Sequence, residues 1–93
     1  MPIDKTKTKY ASTCEYQGRK FNVRWINSSN VEWVGWPASD GEPLMLVKYS
    51  HDGIYGYVGV TRQRAVAAAH YPSTGEYINR IIKPVFDVVK IAE

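Results

Sequence analysis

Over the first sixty residues apolar and polar positions alternate in short runs, and after Thr61 the spacing lengthens. Residues 20–26 alternate most regularly. Phe21, Val23 and Trp25 share one face and Lys20, Asn22 and Arg24 the other, which predicts a strand with an apolar side on the core and a basic outer side. Residues 11–16 form a β-prone run before it, joined through Gln17-Gly18-Arg19 as a hairpin. After the turn cluster Asn27-Ser28-Ser29-Asn30, residues 31–36 predict a third strand that Pro37 stops. Residues 38–43 carry Asp, Gly and Pro and read as a loop. The nearly continuous apolar run 44–49 suits a central strand, and Ser50-His51-Asp52-Gly53 is a tight connection into a fifth strand over 54–60.

At Thr61 the period changes. Its hydroxyl is placed to cap a helix over 62–70, where Ala65, Ala67, Ala68 and Ala69 are strong helix formers and Arg62 and Arg64 stay outside. Pro72 ends that helix. Ser73 followed by Glu76 is a capping box, and Tyr77, Ile78, Ile81 and Ile82 make the apolar stripe of a second short helix closed by Pro84. Residues 85–91 are β-branched and return as a last strand. The predicted class is α+β: an antiparallel β-meander of about five to six strands with two short helices inserted before the last strand.

Ninety-three residues make one domain spanning 1–93, with one modest core and little room for a large cavity within one subunit. The single cysteine, Cys14, cannot close an intramolecular disulfide, and the first residues carry no apolar signal segment, so a cytoplasmic protein is expected. No apolar run approaches the roughly 18 residues of a spanning helix, so no membrane passage is expected. The net charge of +3 is unevenly spread: residues 1–24 hold six Lys/Arg against two acids, 25–60 one against four, and 61–93 five against three. Residues 1–24 therefore read as an extra basic arm, over 4–9, and a hairpin. Basic ends around an acidic middle suit a polyanion, and equally suit an ordinary solvated surface.

The candidate chemistry is that of binding. Tyr55 and Tyr57 stand two apart on one strand, so their rings share a face; they either stack bases or pack in the core. Free N–H groups at the start of the second helix can hold a phosphate, whereas Ser73 and Glu76 can satisfy that end themselves. Asn79 and Lys83 lie one helical turn apart, with Arg80 beside them; Asn79 can read a base edge and Lys83 neutralise a phosphate. Arg19, Lys20, Arg24, Arg62 and Arg64 are further phosphate candidates. Trp25, Trp33 and Trp36 crowd twelve residues, more than one small core readily holds, so at least one is expected at a binding or subunit surface. His51 and His70 have no motif partners and Cys14 no matched histidine, so no catalytic site, metal site or cofactor is predicted.

Asn27-Ser28-Ser29-Asn30-Val31 with Val34-Gly35-Trp36, the central Tyr55-Gly56-Tyr57, and Ser73-x-Gly75-x-Tyr77-x-Asn79-x-x-Ile82-Lys83 together resemble the KTSC domain over about residues 25–86. That family comprises a module at the C-terminus of some lysyl-tRNA synthetases and stand-alone bacterial or phage proteins. The synthetase connection implies RNA binding, and the motif adds Ser73 and Tyr77 to the candidate residues. The sequence departs from the family's minimal form in residues 1–24, in Val60-Thr61 where Val-Pro is usual, and in the extension 85–91. The leading expectation is a non-enzymatic binding module for RNA or another phosphate-bearing nucleotide ligand. The alternatives are a homo-oligomer, of phage type, that sequesters a small nucleotide signal, and a protein-interaction adaptor.

Overall fold

The computed structural model describes residues 12–26 and 28–93. The basic arm over 4–9, the start of the first predicted strand and Asn27 lie outside the described residues. Six strands, β1 (Thr13–Tyr16), β2 (Arg19–Trp25), β3 (Val31–Pro37), β4 (Leu44–Tyr49), β5 (Ile54–Val58) and β6 (Asp87–Ala92), pair antiparallel in strict chain order. Between β5 and β6 come α1 (Arg62–His70), α2 (Thr74–Tyr77) and a π-helical turn, Ile78–Ile82. The chain is therefore the α+β meander that the pattern predicted.

Local chemistry sets the bounds. Gln17 and Gly18 both have positive φ, 51° and 75°, the conformation of a two-residue turn whose twist matches its strands. Pro37 pairs with Phe21 and so belongs to β3 instead of stopping it; an end position needs no further donor from the ring. β5 ends at Val58, two residues earlier than expected, because Gly59 turns the chain at φ 92°.

Both faces of the sheet are packed, and that corrects the reading of β2. On one face Val31, Val34, Met45, Val47 and Tyr57 meet Ala65, Ala68 and Ala69 of α1 and Ile78 and Ile82 of the π-turn. On the other, Phe21, Trp33, Leu46 and Ile54 form a second core with Cys14, Val23, Trp25 and Ile91 packed around it. The apolar side of β2 faces this second core. Its polar side, bearing Asn22 and Arg24, pairs with Trp36 and Val34 and so lies on the side of the sheet that the helices partly cover, with Lys20 and Arg24 still exposed there. Two cores also answer the crowding of tryptophans. Trp33 is buried, while half-buried Trp36 and Trp25 pack on opposite faces, so none of the three is a free surface ring.

Thr61 Oγ1 accepts from the Arg64 amide at 3.2 Å, capping α1 as expected. The alanine face of α1 lies chiefly over β3, since small side chains allow close approach. Its last carbonyls are held by side chains: Thr74 Oγ1 donates to Ala68 O at 2.9 Å and Arg24 Nε to Ala69 O at 3.2 Å. Ser73 Oγ accepts from the Glu76 amide at 3.4 Å, so the second helix starts as predicted. It then changes period. The Lys83 amide reaches back five residues to Ile78 O at 2.8 Å, which places an extra residue in the turn. Ile78 and Ile82 thereby both stay buried, while Ile81, predicted in the apolar stripe, is 39 % exposed.

Candidate functional site

Above β4 and β5, beside the π-turn, lies an open pocket of about 580 Å³ lined by Asn30, Tyr49, Asp52, Tyr55, Asn79 and Lys83, among others. Strand alternation builds its wall. Val47 pairs with Tyr55 and Met45 with Tyr57, so Tyr49, Tyr55 and Tyr57 all stand on the helix face. Tyr57 is 2 % exposed, and its hydroxyl lies 2.6 Å from that of Tyr49. Tyr49 and Tyr55 meet edge to face, with centroids 5.5 Å apart. The pair Tyr55 and Tyr57 does share a face, but Tyr57 is a core ring, so the two do not form a platform for successive bases. Tyr55 is the ring of that pair that a ligand can reach.

Charge at the rim is divided. Tyr55 Oη donates to Asp52 Oδ2 at 2.8 Å and the Gly53 amide to Asp52 Oδ1 at 2.7 Å. These bonds, with Lys90 Nζ at 3.2 Å, hold the Asp52 carboxyl below its ordinary 3.8. Lys90 pairs with both Asp52 and Glu93, and those contacts raise its pKa. Lys83 differs: its ammonium sits 5.5 Å from the centroid of Tyr49, and no carboxylate pairs with it among the described residues. The pocket therefore offers an aromatic wall, the side-chain amides of Asn30 and Asn79 and, in Lys83, a cation that no described carboxylate pairs.

Burial raises the pKa of both Tyr49 and Tyr57 above 10.0, and the bond to Tyr57 adds to the effect on Tyr49. A raised phenol contributes stability that is complete below the unfolded value and is lost as pH climbs above it. Unfolding midpoints should thus fall above pH 10, more steeply in the native chain than in Tyr49→Phe; equal slopes would contradict a coupled pair. Asp52 acts oppositely: its contribution is present above pH 3.8 and fades as pH falls through its lower folded value.

The structure brings Tyr55, Tyr57, Asn79 and Lys83 to this one pocket and sends the other candidates elsewhere. Ser73 and Arg24 line a smaller cleft at the end of α1. The Tyr77 ring lies tilted at 58° against Tyr71, with centroids 5.2 Å apart, in a shallow depression with Glu76 and Arg80. Arg62 lies 3.9 Å from Asp40 beside the 38–43 loop, and Arg64, exposed on α1, is joined to the cap at Thr61 only through its amide. These candidates are thus not one surface. Sequence reading missed Tyr49 and Asp52, although alternation from Met45 and Val47 to Tyr49, folded back by the 50–53 hairpin, points to both. Among the described residues no three His, Cys, Asp or Glu side chains gather into a metal site, and no helix is long and apolar enough to cross a membrane.

Comparison with curated proteins found no match. A solved structure of a KTSC domain protein from Yersinia pestis superposes with a TM-score of 0.68 at 21% identity, covering 76% of this chain and 97% of that one. At that identity the likeness speaks for the fold alone. The profile of the KTSC domain matches residues 27–86, which include β3 to β5, both helices and, of the tyrosine pocket's wall, Asn30, Tyr49, Asp52, Tyr55, Asn79 and Lys83. The chain belongs to the KTSC domain family, with the β1–β2 hairpin and β6 added at its ends.

Proposed function

We propose that the protein is a non-enzymatic binding module for a phosphate-bearing nucleotide, free or as one unit of RNA, and that the tyrosine pocket is its site. The observation that carries the reading is convergence: Tyr55 from β5 and Asn79 and Lys83 from the π-turn, distant in sequence, face one cavity. Its volume falls within the range of small-ligand sites, roughly 300–1,000 Å³, and suits a single nucleotide better than a stacked run of bases. A base packs against Tyr55, the Asn79 amide pairs with its edge, and Lys83 neutralises the phosphate. Turnover is not part of the proposal. Asp52 is already engaged by Tyr55 and Gly53, and burial on the opposite face pushes the Cys14 thiol up to about 11.

Titration with single-stranded RNA and with nucleoside monophosphates at two salt concentrations tests this reading. Binding should weaken with salt; Tyr55→Ala should cost roughly tenfold in affinity, and Lys83→Gln should weaken binding and flatten the salt dependence by about one unit of slope. No binding at low salt, or binding indifferent to salt, would overturn it.

A second reading is favoured by β6, an edge strand of the described sheet on which Val88 and Val89 are each about half exposed, with Val88 also lining the pocket. Self-association along that edge would close the pocket between subunits, as in a homo-oligomer that sequesters a small nucleotide signal. Light scattering after size exclusion decides between the two: a monomer removes the shared pocket.

A further inference from the structure

Where α1 ends against β2, a separate cleft of about 280 Å³ is lined by Arg24, Ser28, His70 and Ser73, with Tyr71 and Thr74 at its sides. Its polar groups are arranged as donors. Among the described residues Arg24 gives its Nε–H to Ala69 O, while its paired terminal nitrogens have no hydrogen-bond partner and no carboxylate pairs with them. Ser73 Oγ accepts from the Glu76 amide and Ser28 Oγ from the Asn30 amide, so each hydroxyl keeps its own proton to give. His70 Nδ1 donates to Val66 O at 2.9 Å, which leaves Nε2 facing outward, as an acceptor in the neutral ring, for the O–H of a protonated oxyanion. Among the described residues no acid lines the cleft; Glu76 lies instead in the depression beside Tyr77 and Arg80.

We propose that this cleft is an oxyanion site that takes a phosphate group, gripped by the Arg24 fork and by the Ser28 and Ser73 hydroxyls, with His70 closing the side. It is distinct from the tyrosine pocket and does not depend on it. The two sites adjoin, because Asn30 and Gly75 line the pocket while Ser28, Ser73 and Thr74 line the cleft on the same two segments. A ligand with two phosphate groups is therefore able to span both.

Inorganic phosphate, added to uniformly labelled protein in a phosphate-free buffer at constant ionic strength, is the direct probe. Saturable shifts are expected at the Ser28, His70, Ser73 and Thr74 amides, with sodium chloride producing none. Arg24→Gln should weaken phosphate at least about tenfold, the effect of losing a charge-assisted pair. His70→Asn, on an exposed side chain outside the sheet, should weaken it less and serves as the second variant if Arg24→Gln does not fold. Lys83→Gln should leave this site intact, which separates its failure from that of the tyrosine pocket. A nucleoside bisphosphate shifting both sets of amides in one step at one-to-one stoichiometry identifies one ligand bridging the sites; phosphate shifting only the cleft identifies a free oxyanion. Shifts that do not saturate, that chloride reproduces, or that survive unchanged in the variants overturn the proposal.

Discussion

Gly53→Ala is expected to lift the end of β6 off β5 and open the tyrosine pocket. A Cβ built on Gly53 would meet Ala92 O at 1.9 Å and Ala92 C at 2.9 Å, and both are backbone atoms of the strand that pairs Ala92 with Ile54. Backbone cannot rotate away, so the strand itself has to move. The cost is expected near the upper end for overpacking, about 3 kcal/mol. The loss reaches the site because β6 carries Lys90, which pairs with Asp52, and Val88, which lines the pocket. Chemical denaturation should report the destabilisation, and hydrogen exchange should show amides of 87–92 losing protection first. Gly56→Ala is the control, since its Cβ would meet only the side-chain ends Ile91 Cδ1 at 2.9 Å and Leu44 Cδ1 at 3.3 Å. Equal losses for the two would contradict the backbone argument.

Ile82→Ala should cost about 2–5 kcal/mol, because the side chain is fully buried between the π-turn and the sheet and its removal leaves a cavity that helix and strands cannot both collapse to fill. Ile82 also anchors the approach to β6: its carbonyl accepts from the amides of Val85 at 3.1 Å and Phe86 at 2.9 Å. With that end of the π-turn loosened, Asn79 and Lys83 lose their fixed approach to the tyrosines. The variant should therefore bind a nucleotide more weakly even under conditions where it remains folded. Ile81→Ala, on the exposed neighbour, should change stability by well under 1 kcal/mol. A small loss at Ile82 would mean that the π-turn does not depend on its core contact.

Much of the meander is legible along the chain, because period-two alternation and turn residues act locally. The Gln17-Gly18 turn, the Thr61 and Ser73 caps and the shared face of Tyr55 and Tyr57 all derive from neighbours in sequence. The candidate site is legible only in pieces. Asn79 and Lys83 are readable as one helical edge, yet their meeting with Tyr55 depends on how the helices lie across the sheet. Arg24 shows the limit most clearly: alternation puts it opposite Phe21, Val23 and Trp25, but says nothing of which face the helices will cover.

The sequence by itself thus determined the order of strands and helices, their caps and turns, and the side of each strand on which a residue stands, since these depend on contacts within a few positions. The tertiary structure alone decided that the sheet buries both faces, that Tyr57 belongs to a core while Tyr55 lines a pocket, and that Lys83 approaches Tyr49 from a distant part of the chain. The reason is physical: burial and charge pairing depend on which surfaces meet, and the extra residue held in the π-turn sets that meeting at the pocket.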